Sequence, residues 1–173
     1  MTDHQKDANV DVVLFDMPIP DRRLTRQFMG KIFVSSQVFR NTFTATIAVF
    51  CSDERFSQAA FECLKTTLGV ERCDLIVYPG GPQFIASNQE DPIKRMKFLI
   101  QAHSVTRIIL LSHTQCGYYM NLHPEMTESV LSALQISDIH KAADDLRRMF
   151  PGITVECYYM GLEGEHLFCS PVV

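Results

Sequence analysis

The first unbroken apolar run is Thr46 to Phe50, β-branched and free of charge, which predicts a short buried strand. Before it, residues 1–44 show no sustained period. Pro18 and Pro20 interrupt any long helix there, so the stretch reads as an irregular N-terminal arm. After it the pattern alternates. Phe61, Leu64 and Leu68 share one helical face, with Ser57 as the predicted cap and Gly69 as the stop. Asp74 to Tyr78 predicts a second strand, ended by Pro79, Gly80 and Gly81. Asp91 and Pro92 read as N-cap and first position of a helix that aligns Ile93, Met96 and Ile100. Arg107 to Ser112 predicts a third strand, whose apolar centre suits a parallel sheet covered on both faces. Thr127 begins a helix through Val130, Leu131 and Leu134. Ser137 caps a later one carrying Ile139, Ala142, Leu146 and Met149, and Pro151 and Gly152 end it. Ile153 to Met160 is a fourth strand, Gly161 to Gly164 a turn, and Glu165 to Cys169 an edge strand pairing back. The alternation predicts a single α/β domain over residues 45–173, with a mainly parallel sheet flanked by helices and right-handed crossovers.

A chain of 173 residues suits one domain with a sizeable core. The net charge of -4 offers no general attraction to nucleic acid or to an anionic membrane. Arg22, Arg23, Arg26 and Lys31 form a local basic stretch interleaved with Leu24, Phe28 and Phe33. It reads as a solvated face ahead of a partner-clasping arm, and no nucleic-acid partner is expected. No apolar run is long enough to span a bilayer, and Met1 to Asp11 lacks the apolar core of a signal peptide. The six cysteines are therefore expected as reduced thiols in a cytoplasm, with Cys63, Cys73 and Cys157 in apolar settings that favour the core.

Two clusters close predicted strands: Cys51-Ser52-Asp53-Glu54-Arg55 and His113-Thr114-Gln115-Cys116-Gly117. Sites in open parallel sheets form outside the carboxyl ends of strands. Adjacent strands ending this way would aim Cys51, His113 and Cys116 at one point. Two thiolates and an imidazole are zinc-type ligands, and three protein ligands leave a fourth position open for water or substrate. Asp53, two residues from a ligand, can either take that position or pair with Arg55 and orient the water held there.

The order Cys-x-Asp-x-Arg, a β-α-β stretch, then His-x-x-Cys-Gly resembles the β-class carbonic anhydrases over about residues 45 to 169. The resemblance implies that Cys51, His113 and Cys116 bind Zn2+. It also implies that Asp53 and Arg55 are the catalytic pair gating the fourth position. The implied activity is a zinc lyase, a carbonate dehydratase that hydrates CO2 reversibly to bicarbonate. A homodimer or higher homo-oligomer is implied as well. The sequence departs from the family in two places. Tyr78-Pro79-Gly80-Gly81-Pro82 stands where the family usually has an Arg-Asn-Ala-Gly-Asn type segment; the glycines survive and the polar side chains do not. The glutamine often found shortly before the first motif is missing around Thr42, and Gln37 is out of register. Two alternatives follow: hydrolysis of CS2 or COS on the same zinc site, and a catalytically silent zinc protein closed by Asp53.

Other candidates receive structural readings. His166 and Cys169 repeat the His-x-x-Cys spacing, but residues three apart on a strand point to opposite faces. His103 and His140 in helices, and His123 in a loop, are expected in surface or capping roles. Gly80 and Gly81 lack the Gly-Lys-Ser/Thr of a phosphate loop. Phe56, Phe84, Tyr118 and Tyr119 flank the motifs as pocket wall or core.

Overall fold

The structure is a computed structural model, which describes residues 32–33 and 35–173. The residues from Asn41 to Val173 form one compact unit. Most of the expected arm, including Pro18, Pro20 and the basic stretch from Arg22 to Lys31, lies outside the described residues.

Five strands form one sheet: β1 (Thr46–Phe50), β2 (Asp74–Val77), β3 (Arg107–His113), β4 (Thr154–Glu163) and β5 (His166–Pro171). Their order is β2-β1-β3-β4-β5, with every pairing parallel except β4 with β5. The helices are α1 (Glu54–Glu62), α2 (Gln83–Ala86), α3 (Glu90–Ala102), α4 (Gly117–Leu122) and α5 (Glu128–Met149). Among the described residues, no helix is long and apolar enough to cross a membrane.

All five residues of β1 are buried, because helices cover both faces of the sheet. Alternation along the strands sorts the side chains. Ile47, Val49, Ile108 and Leu110 face Phe84, Ile85, Met96, Ile139 and Leu146 from α2, α3 and α5. Ala48, Phe50, Ile109 and Leu111 face Phe56, Ala60 and Leu64 on the other side. Fully burying one such Ile, Leu or Phe side chain contributes about 1.5–3 kcal/mol, so these two layers dominate the stability.

Several boundaries differ from the sequence expectation. Asp53, not Ser57, caps α1, its carboxylate accepting from the Arg55 N–H at 3.1 Å; the Ser57 hydroxyl instead donates to the Glu54 carbonyl within the helix. A carboxylate at a helix N-terminus satisfies a free N–H and meets the positive end of the dipole. The buried stripe is consequently Phe56, Ala60 and Leu64, leaving Phe61 exposed. The helix then widens into a π-helical stretch, Cys63–Thr67, closed by Leu68 N–H donating to the Cys63 carbonyl. Helix α3 starts two residues early, with Gln89 as cap. Pro92 falls in its first turn, where the missing N–H has no helical acceptor to lose. Ser137 caps nothing: α5 is one continuous helix, since no Gly or Pro separates Thr127 from Pro151. The expected turn at Gly161–Gly164 shrinks because β4 runs to Glu163. Gly161 pairs with Phe168, whose ring would lie 2.3 Å from a Cβ at that position.

At the opposite end of the sheet, Arg107 clamps Glu156. Its Nε donates to Oε1 at 2.7 Å and its Nη2 to Oε2 at 2.9 Å, while Nη1 reaches the Leu68 carbonyl at 3.3 Å. This guanidinium, and then the Tyr158 hydroxyl, hold the Glu156 carboxyl below its ordinary range. The clamp therefore contributes fully above the unfolded carboxylate value of about 4.3. It fades as the pH falls through the lower folded value. Glu156→Gln is expected to cost about 1 kcal/mol at neutral pH, as suits a partly exposed pair. Urea unfolding compared at pH 7 and at a pH below both values checks this, since an undiminished difference in acid contradicts the assignment.

Candidate metal centre

Strands β1 and β3 are neighbours in parallel register, with Val49 opposite Leu110, so both chains leave the sheet at the same level. Cys51 continues the face of Ile47 and Val49 and joins a buried cluster with Cys116, Tyr119 and Leu131. His113 continues the face of Ile109 and Leu111, and its ring lies 4.1 Å from that of Phe56, between centroids. Cys116 caps the start of α4, which turns it back over the strand ends. The three side chains thus approach one point from both sides of the sheet. They are 7, 3 and 3% exposed, and their donor atoms all lie within 4.8 Å of one another.

The donor set fits a metal ion. The two sulfurs are 3.8 Å apart, too far for a disulfide. Two sulfurs held about 2.3 Å from one tetrahedral ion would stand about 3.8 Å apart. The Nδ1 of His113 lies 2.7 Å from the Thr114 carbonyl, which can only accept, so Nδ1 carries the proton. The lone pair is left on Nε2, which is buried and without a partner among the described residues. A buried acceptor with nothing to accept from is costly unless something else, such as a cation, takes its lone pair. The Cys116 thiol, then His113 and the backbone N–H groups of Asp53 and Gly80, push the Cys51 thiol down against its burial. Cys116 is pushed up by its hydrogen bond with Cys51 and by burial. Two thiols this close resist holding two negative charges, a conflict that a bound cation removes.

The glycine loop before α2 supports the centre with its backbone. Gly80, at φ +80°, donates its N–H to the Cys51 sulfur at 3.4 Å. Gly81, at φ +58°, lies against the ends of both strands. A Cβ there would sit 3.1 Å from the Cys51 nitrogen and from the Leu111 carbonyl oxygen. Both positions need glycine for conformation and for space, since a Cβ on Gly80 would lie 2.5 Å from the Tyr118 ring.

Asp53 and Arg55 come together beside the three donors. Arg55 Nε donates to Asp53 Oδ1 at 2.9 Å and Nη2 to Oδ2 at 2.6 Å, so both carboxylate oxygens are engaged. Arg55 holds the Asp53 carboxyl below the usual range, and Asp53 raises the guanidinium in turn. Arg55 Nη2 also donates to the Gln115 carbonyl at 2.9 Å, tying the first motif to the second. A small cavity of about 10 Å³, walled by Phe50, Phe56, Ala60, Leu111 and Met160, opens beside Cys51 and His113.

The sequence reading missed Glu128. Its Oε1 accepts from Thr114 Oγ1 at 2.6 Å, from the Gln115 N–H at 2.7 Å and from Ser132 Oγ at 3.3 Å. Tyr159 donates to Ser132 at 2.9 Å, extending the network to β4. An acid in the first turn of α5 reads in the sequence as a partner of the helix dipole, and nothing local signals its reach to the 113–116 loop. His166 and Cys169 belong to no group of close metal donors among the described residues. His103 caps α3 and bonds Asp74 at 2.6 Å through Nδ1.

Known proteins resemble this chain in sequence and in fold. The family model described as "Putative carbonic anhydrase" matches residues 40–168. An uncharacterised protein of Rickettsia conorii is 26% identical over 147 residues, covering 78% of this chain and 77% of its own. Among solved structures, β-carbonic anhydrase isoform I of Trichomonas vaginalis superposes with a TM-score of 0.56 at 14% identity, covering 81% of this chain and 88% of that one. The carbonic anhydrase of Streptococcus mutans gives a TM-score of 0.54 at 16% identity, with the same shares of 81% and 88%. The structural likenesses establish a β-carbonic anhydrase fold, and the family match spans most of the residues that build it. The chain belongs to this carbonic anhydrase family.

Proposed function

We propose that the protein is a zinc-dependent carbonate dehydratase that interconverts CO2 and bicarbonate. One observation carries the reading: three buried donors converge within 4.8 Å of one another, the two sulfurs 3.8 Å apart, while Asp53 has both oxygens committed to Arg55. Cys51, His113 and Cys116 would hold the ion. Zinc, when bound in an open three-ligand site, supplies hydroxide at neutral pH by lowering the pKa of its water.

The protein's own groups would do the rest. His113 is fixed in the tautomer that leaves Nε2 free, through the Thr114 carbonyl. Asp53, kept ionised by Arg55, would accept a hydrogen bond from the water that adds to CO2 and so orient its oxygen. Arg55 would hold that carboxylate off the ligand position. The small cavity beside Cys51 and His113, of about 10 Å³, is the size of one water molecule, so its apolar walls exclude bulk solvent on that side of the site. Hydrolysis of CS2 or COS on the same three donors is the second reading, which parallel assays of the three substrates would separate. The engagement of Asp53 by Arg55 counts against the silent reading, in which Asp53 closes the site as a fourth ligand. A homodimer and a reducing cytoplasm complete the proposal; two unpaired thiols at one site suit the latter.

Purified protein is expected to carry about one zinc per chain, as a single three-ligand site requires. Cys116→Ala and His113→Ala should each lose it on dialysis. Elemental analysis checks this, and stoichiometric zinc in either variant would rule out these ligands. Stopped-flow CO2 hydration on zinc-loaded protein should exceed the buffer rate. Asp53→Ala should keep its zinc and lose about 10- to 100-fold in turnover. Full activity in Asp53→Ala would sink the role given to the pair.

A further inference from the structure

Glu128 is tied to the centre without being near enough to join its donors. Gln115 stands at φ 53°, a left-handed conformation that a non-glycine residue adopts only when held there. Its peptide groups are held on both sides. The N–H goes to Glu128 Oε1 at 2.7 Å, and the carbonyl accepts from Arg55 Nη2 at 2.9 Å. The same Nη2 also donates to Asp53 Oδ2. The Gln115 backbone therefore links two sets of hydrogen bonds, Glu128 on its N–H and Arg55, with Asp53 beyond, on its carbonyl. Glu128 is anchored in turn by Ser132 on the next turn of α5, which accepts from Tyr159 on β4.

We infer that Glu128 is a positioning residue for the Asp53–Arg55 pair: by fixing the Gln115 carbonyl it keeps Arg55 in place, and so keeps Asp53 away from the metal's remaining position. This deepens the proposed function and rests on its metal reading, not on CO2 as substrate. Charge-assisted bonds of 2.6 and 2.7 Å to one carboxylate oxygen are the strong links in this loop. Without them the Gln115 peptide is free to leave its left-handed conformation, and its carbonyl turns away from Arg55. Arg55 then loses its hydrogen bond outside the pair and no longer fixes where the carboxylate sits. A carboxylate two residues from Cys51 then competes for the position that an exogenous ligand would take.

The test uses the full chain loaded with cobalt(II), whose visible d–d bands report the ligand set independently of turnover. Azide is the probe, since it can bind only where a coordination position is open. Wild-type protein should show an azide-dependent spectral change. Glu128→Ala should require about 10- to 100-fold more azide, the range typical of losing a group that orients a metal site from outside. Glu128→Gln, whose amide oxygen can still accept from the Gln115 N–H, should restore the wild-type response. Glu128→Asp, shorter by one methylene but still charged, should behave like Glu128→Ala and replaces it if that variant does not fold. The deciding arm is Glu128→Ala combined with Asp53→Ala. If Glu128 acts through Asp53, removing Asp53 abolishes the effect and azide binds freely. Unchanged azide binding in both Glu128→Ala and Glu128→Asp would overturn the inference. So would a defect that persists without Asp53. Failure to bind cobalt overturns the metal reading together with the inference. An intact azide response with no CO2 turnover removes only the substrate.

Discussion

The parallel pairing of β1 with β3 is the constraint on which the rest depends. Because Val49 stands opposite Leu110, Cys51 and His113 leave the sheet within one residue of the same level. Because alternation carries them on opposite faces, one donor rises from the α5 side and the other from the α1 side. A slip of one residue would turn every side chain of β1 to the other face and exchange the two apolar layers. Those layers, Ile47 and Val49 on one side and Ala48 and Phe50 on the other, are fully or almost fully buried, and their burial enforces the register. The convergence of Cys51 and His113 is thus a by-product of core packing, held by many side chains that never touch them.

Past the strand ends, left-handed backbone conformations replace packing as the means of control. Gly80, Gly81 and Gln115 all have positive φ. The two glycines adopt it freely, whereas Gln115 does so at about 1–3 kcal/mol. Each is held against the site, two by hydrogen bonds and one by close packing. Gly80 donates to the Cys51 sulfur, Gly81 fits between the ends of β1 and β3, and Gln115 is gripped by Glu128 and Arg55. The Tyr78–Pro82 loop thus meets the site with an N–H and with positions that leave no room for a Cβ.

How legible each feature was in the sequence follows from how local its cause is. The strands could be read because an unbroken apolar run such as Thr46–Phe50 has little other use. The three donors could be read because Cys51 sits at the end of one such run and His113 and Cys116 at the end of another. Helix boundaries were less legible. Ser57 and Asp53 are both competent caps, and only the tertiary pull of Phe56 onto the sheet and of Arg55 onto Asp53 selects between them. Ser137 had the composition of a cap but no break before it, so α5 ran on. Glu128 was illegible as part of the site, because its partners at Thr114 and Gln115 are joined to it only by the fold.

Asp53 shows how closely the helix and the site are bound together. The carboxylate that caps α1 is the one that pairs with Arg55, itself a residue of that helix's first turn. Moving it onto a metal would break the cap, worth about 1 kcal/mol in typical proteins. It would also break two charge-assisted bonds to the guanidinium. On the proposed reading, then, the open state of the site is stabilised by the start of a helix as well as by an ion pair. Arg55 could not be replaced by lysine at the same benefit, since only a planar fork can engage both oxygens and still reach the Gln115 carbonyl. The resistance to closure is therefore spread over α1, the 113–116 loop and the first turn of α5, and a change in any one of these alters the preference of Asp53 without touching a metal ligand.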